Sequence, residues 1–149
     1  MNYTSLGDSV NLANRLQRLN RAYGTSIIVS DATLVAAGPA VLTRPLDRVA
    51  VKGRHEGVLV HELIALTADA TAEQRELSER AAAAFAIYQQ RDFAGAAAAF
   101  AELLQRFPDD APARLLRDRC RLALATRPPE GWDGIWRIHE QTGAWDTRE

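Results

Sequence analysis

Cysteine, methionine and lysine each occur once in this chain of 149 residues. A lone Cys120 excludes a disulfide framework and points to a reducing compartment. It sits among leucines in a helical pattern with no histidine near it in sequence, so it reads as a buried, inert thiol. No apolar run reaches the roughly 18–20 residues of a membrane span, and no signal peptide pattern opens the chain. The expectation is a cytoplasmic segment without membrane contact, any inner-membrane anchor of a longer parent lying upstream. Neither sign of charge dominates: 18 Lys and Arg against 19 Asp and Glu leave a formal net charge of −1. That balance argues against a nucleic-acid-binding protein as a whole. His55, His61 and His139 show no ligand spacing, and "HELIA" is not the two-histidine zinc helix, so no metal site is expected in this chain.

What is present is a globular composition, 47% hydrophobic and 25% charged. Almost all the basic charge is arginine, so the lone lysine, Lys52, stands out. Two halves differ in pattern. Residues 1–64 alternate strand and helix signals. In "YTSLGDSVNLANRLQRLN" a short strand runs through a turn into a helix over 9–22. Leu12, Leu16, Leu19 and Tyr23 form its buried stripe, and Asn11 and Arg15, four apart, stack on a neighbouring face. "YGT" turns into the strand "SIIVS", and Asp31 is expected to cap a brief helix, "ATLVAAG". "VLTRPLDRVAVKG" and "GVLVHELIA" read as strands, with "GRHEG" as the hairpin turn.

Residues 65–76 read as a linker, 77–125 as helices and 126–149 as a Pro/Trp tail. In "YQQRDFAGAAAAFAELLQRFPDD", Ala96, Phe100 and Pro108 meet the second-helix signature of a tetratricopeptide repeat, which this stretch resembles. No second repeat follows, only a third helix, "APARLLRDRCRLALA". One repeat cannot bury its own faces, so the hairpin must pack on something. A structural role is preferred over a peptide-binding groove, with a protein partner as the other use. Trp132 and Trp136, four apart, are placed to cover the hairpin.

The stretch from Tyr3 to Ser30 resembles the second half of the class III adenylate/guanylate cyclase catalytic domain. There a strand leads into Gly-Asp-x-Val-Asn and a helix continues Ala-x-Arg; "RPLDRVAVKGRHEGVLVHEL" is similar to the closing hairpin of that domain. The resemblance implies an α+β fold, a partial ferredoxin-like cyclase domain over 1–64, followed by an all-α hairpin extension. It implies that Asn11 orients the ribose, Arg15 stabilises the transition state and Lys52 grips the triphosphate. Thr4 falls at the base-reading position and favours ATP over GTP.

The chemistry suits these side chains. When the ribose 3′-oxygen attacks the α-phosphorus, charge builds on phosphoryl oxygens, and catalysis is positioning plus electrostatic stabilisation. A guanidinium donates several hydrogen bonds from a planar fork, and an ammonium in a Gly-flanked turn suits terminal phosphates. Taken singly, Asn11 and Arg15 read as a solvated face, Lys52 as a turn charge and Thr4 as a strand residue. In family order the catalytic reading takes over. The family's metal-binding aspartates and base-reading lysine belong to the domain's first half, so Mg or Mn ligands are expected only in a longer parent. The resemblance also implies a homodimer, and a chain that forms no cyclic nucleotide alone. The other functional class is a non-catalytic, cyclase-like interaction module.

Overall fold

A computed structural model describes residues 23–25, 27–51 and 54–137. Strand β1 (Ile28–Ser30) leads directly into helix α1 (Asp31–Ala37), and a 3-10 turn over Gly38–Ala40 delivers the chain to β2 (Val41–Val51). Strand β3 (Arg54–Leu66) returns, and after a second 3-10 turn at Thr67–Asp69 the chain is helical: α2 (Ala72–Gln89), α3 (Phe93–Arg106) and α4 (Ala111–Thr126). The sheet order is β1-β3-β2 with both pairs antiparallel. The architecture is α+β, a small antiparallel sheet followed by helices.

Local chemistry explains most element boundaries. The Ser30 hydroxyl, not Asp31, caps α1 by accepting from Thr33 N, so Asp31 stands in the first turn. An acid there still favours the helix N-terminus. Thr71 and Gln74 form a reciprocal capping box at the start of α2. Asp92 and Asp110 cap α3 and α4, accepting from Gly95 N and Ala113 N. The hairpin reverses earlier than "GRHEG" implies, because Val51 already pairs with Arg54. Gly57 instead lies inside β3 at φ 68°, where the register shifts between Val49 and Val51. A bulge there needs the left-handed backbone that glycine adopts without strain.

Two cores result. In the sheet half, Leu46, Val49, Val58 and Val60 pack with Ile28 and Tyr23. In the helical half, Tyr88, Phe93, Phe100, Leu103 and Leu116 centre a second cluster. Burying each such side chain favours the fold by about 1.5–3 kcal/mol. The hairpin α2–α3 does not stand alone. Helix α4 covers it, and Trp132 packs edge-on to Tyr88 with ring centroids 5.5 Å apart.

The halves are also fastened to each other. Leu59 of β3 packs on the helical cluster, and Leu115 of α4 packs on the sheet cluster. The Ser78 hydroxyl of α2 donates to the Thr43 carbonyl of β2 at 2.6 Å. That bond occupies a group on an edge strand, where unpaired backbone otherwise invites association.

Candidate functional site

The four residues singled out by sequence, Thr4, Asn11, Arg15 and Lys52, lie outside the described residues. So do Leu12, Leu16 and Leu19 of the predicted buried stripe. The stripe's last member is described: Tyr23 is helical and only 2% exposed. Gly24 follows at φ 67°, and a Cβ there would stand 2.9 Å from that of Ala111. The strands β2 and β3 bracket the turn at residues 52–53. The described structure therefore holds the residue that follows the predicted helix and the two strands on either side of Lys52.

Tyr23 ends in a buried polar cluster. Its hydroxyl donates to Asp47 Oδ2 on β2. Arg119 of α4 donates from Nη1 to the same oxygen at 2.8 Å and from Nη2 to the Tyr23 hydroxyl at 3.3 Å. A further, longer bond at 3.4 Å joins Arg119 Nη1 to the Tyr88 hydroxyl, and the guanidinium carbon lies 5.1 Å from the centre of the Trp136 ring. The other Asp47 oxygen accepts from Arg48 N at 2.8 Å. Both carboxylate oxygens are thus satisfied, as a buried charge requires.

The electrostatics follow. Burial pushes the Tyr23 hydroxyl well above its ordinary pKa, and the Asp47 carboxylate pushes it further. Burial raises Tyr88 too, with Arg119 pulling against it. Burial disfavours the Arg119 charge, but Asp47, Tyr88 and Tyr23 outweigh it and hold the guanidinium firmly protonated.

A second charged cluster joins the same halves. Arg44 of β2 is 1% exposed and donates from Nη1 and Nη2 to the two carboxylate oxygens of Asp110, each at 2.8 Å. Arg44 Nε makes no hydrogen bond among the described residues; Glu62 Oε1 lies 3.8 Å away. Burial raises the Glu62 pKa, Arg44 lowers it and Asp110 raises it again. On the central strand β3, His61 Nε2 meets Asp31 Oδ1 of α1 at 3.2 Å.

None of this is a catalytic constellation. Among the described residues no three His, Cys, Asp or Glu side chains gather to hold a metal ion, so those residues do not fit a two-metal site. Cys120 is buried, and desolvation pushes its thiol up to about 12, which leaves it un-ionised and unreactive at neutral pH. Arg117 and Arg121, part of a basic face, pair with Asp118. The described part of the tail, through residue 137, packs on the fold: Arg91 donates to the Pro128 and Pro129 carbonyls, and Trp132 Nε1 donates to the Ile135 carbonyl.

Sequence reasoning missed both buried ion pairs, Arg44 with Asp110 and Arg119 with Asp47. The only local signal is a charge at an inward strand position, as Arg44 and Asp47 are.

This structure leaves a hairpin and the end of a helix flanking the motifs quoted above, which is where similarity to other proteins becomes informative. Adenylate cyclase 1 of Rhizobium meliloti (strain 1021) is 38% identical over 64 residues, covering 43% of this chain and 10% of that protein. The adenylate cyclase, terminal-differentiation specific, of Dictyostelium discoideum is 39% identical over 67 residues, covering 43% of this chain and 3% of that protein. The chain thus spans a tenth or less of the length of these curated relatives. No family model matches the sequence, and no solved structure matches it. The chain carries a class III cyclase region. Both relatives bear the name adenylate cyclase.

Proposed function

We propose that this chain is the C-terminal part of a bacterial class III adenylate cyclase that converts ATP to cyclic AMP and pyrophosphate in cytoplasmic signalling. The observation that carries the reading is the match to two adenylate cyclases over 43% of the chain. Its support within the sequence is the order Thr4, Asn11, Arg15, Lys52 in the family's motifs. In the reaction the ribose 3′-hydroxyl gives up its proton, its oxygen bonds the α-phosphorus, and the bond to the pyrophosphate leaving group breaks. Arg15 stabilises the charge gathering on the phosphoryl oxygens, Asn11 holds the ribose, Lys52 holds the outer phosphates, and Thr4 faces the base.

The Mg or Mn ligands belong, in this reading, to the preceding half of the catalytic domain. The chain alone therefore forms no cyclic nucleotide, and the working site is shared between two protomers. The hairpin α2–α3 is read as a tetratricopeptide-like extension that packs rather than captures a peptide. Burial of Ala96 and Phe100 supports this packing role.

The test is steady-state turnover of ATP by the full-length cyclase that contains this chain. Arg15→Ala lowers kcat about a hundredfold or more while KM stays within about threefold. Equal loss in both constants reduces Arg15 to a binding residue, and unchanged turnover removes the enzymatic reading. Turnover by the isolated chain overturns its assigned inactivity.

A further inference from the structure

Helix α4 has two working faces. Leu116, Cys120 and Ala123 are buried in the helical core. Ala111, Leu115 and Arg119 recur every four residues on another stripe. Each member of that stripe meets Tyr23, its neighbour or its core. Ala111 abuts Gly24, Leu115 packs on the cluster holding Tyr23, and Arg119 donates to the Tyr23 hydroxyl.

We propose that Arg119 is a positioning residue for the nucleotide chemistry: through Tyr23 and Asp47 it fixes the helix expected to carry Asn11 and Arg15 relative to the strand that leads to Lys52. The proposal rests on the cyclase reading above. Tyr23 follows Arg15 by eight residues in sequence, so what holds Tyr23 bears on the segment that carries Arg15. Asp47 lies on β2, five residues before Lys52. One guanidinium thus bonds a residue from each of the two segments whose groups must converge on one nucleotide. Its fork reaches both acceptors at once and its face is covered by Trp136, a combination that a lysine ammonium cannot reproduce. Misplacing a reacting group by about 1 Å costs on the order of a hundredfold in rate, so the clamp bears on turnover and not on folding alone.

Two readouts test it, with Arg117→Gln, at an exposed pair with Asp118, as the control. In this chain, Tyr23→Phe and Arg119→Gln accelerate amide hydrogen exchange over residues 9–22 by about tenfold or more, while amides of α3 stay within about twofold. In the full-length cyclase the same variants lower kcat by about tenfold or more with KM within about threefold, and Arg119→Lys recovers part of the loss. Unchanged exchange over 9–22 overturns the proposal. So does equal acceleration in α3, or undiminished kcat. If Arg119→Gln fails to fold, Asp47→Asn combined with Arg119→Gln removes both buried charges together and is read in the same way. Should Arg15→Ala leave turnover intact, the cyclase reading falls, while the exchange arm still decides whether Arg119 holds that segment.

Discussion

Replacing Asp110 by alanine tests whether buried charge fastens the helical extension to the sheet. Asp110 does two things at once. It caps α4 through Ala113 N at 3.0 Å, and it neutralises Arg44, which is 1% exposed, through two bonds of 2.8 Å. Losing an N-cap costs about 1 kcal/mol. Stripping one partner from a buried pair costs about 3–5 kcal/mol, because the remaining charge is left without compensation. Glu62, 3.8 Å from Arg44 Nε, offsets part of this. Its own ionisation is opposed first by burial and also by Asp110, so removing Asp110 eases it. The lower end of the range then applies, and Asp110→Ala destabilises the chain by about 4 kcal/mol.

Urea unfolding followed by circular dichroism measures this directly, in parallel with a second variant. Arg44→Met combined with Asp110→Ser removes both charges and keeps a capping hydroxyl. It should fall within about 1 kcal/mol of the parent. A cost below about 1 kcal/mol for Asp110→Ala, or equal costs for the single and double variants, refutes the reasoning.

Two further outcomes are expected. Tyr23 and Tyr88 hold their protons above the ordinary phenol value, so the fold retains protons that the unfolded chain loses. The stability this confers is intact below about pH 10 and declines above it, by up to about 1.4 kcal/mol per pH unit for each phenol. Ultraviolet titration should show their ionisation only together with alkaline unfolding, and smooth titration of all three tyrosines near pH 10 would contradict it. At Gly57, φ is 68°, and a Cβ would stand 2.8 Å from both Val49 O and Ile135 Cδ1. Gly57→Ala should therefore cost about 1–3 kcal/mol in the same urea assay, and a change within about 0.5 kcal/mol would remove the bulge argument.

The helices were legible in sequence because their signals are local. Asp110 precedes α4 as its cap, and Phe93, Ala96 and Phe100 repeat at helical spacing and are buried. The α+β order was legible too, since β-branched runs alternate with helical ones across the first half. Finer points failed where two local options compete. Ser30 and Asp31 are both good capping residues, and only the backbone geometry at Ser30 decides between them. Two glycines flank "RHE", and either can turn a chain; pairing of Val51 with Arg54 puts the reversal at residues 52–53, with Gly57 at the bulge. The candidate catalytic residues were read from motif order alone, because they fall outside the described residues.

By itself, then, the sequence determined the helical periods of the extension, the cap at Asp110 and the inert thiol at Cys120, each set by residues within a turn or two of one another, and it carried the cyclase motifs. Tertiary structure alone decided which arginines leave water. Arg44 meets Asp110 across 66 positions, and Arg119 meets Asp47 across 72. Apart from the inward strand position of Arg44, nothing local distinguishes those two from the other arginines, since a charge enters the interior only where folding brings a carboxylate to face it.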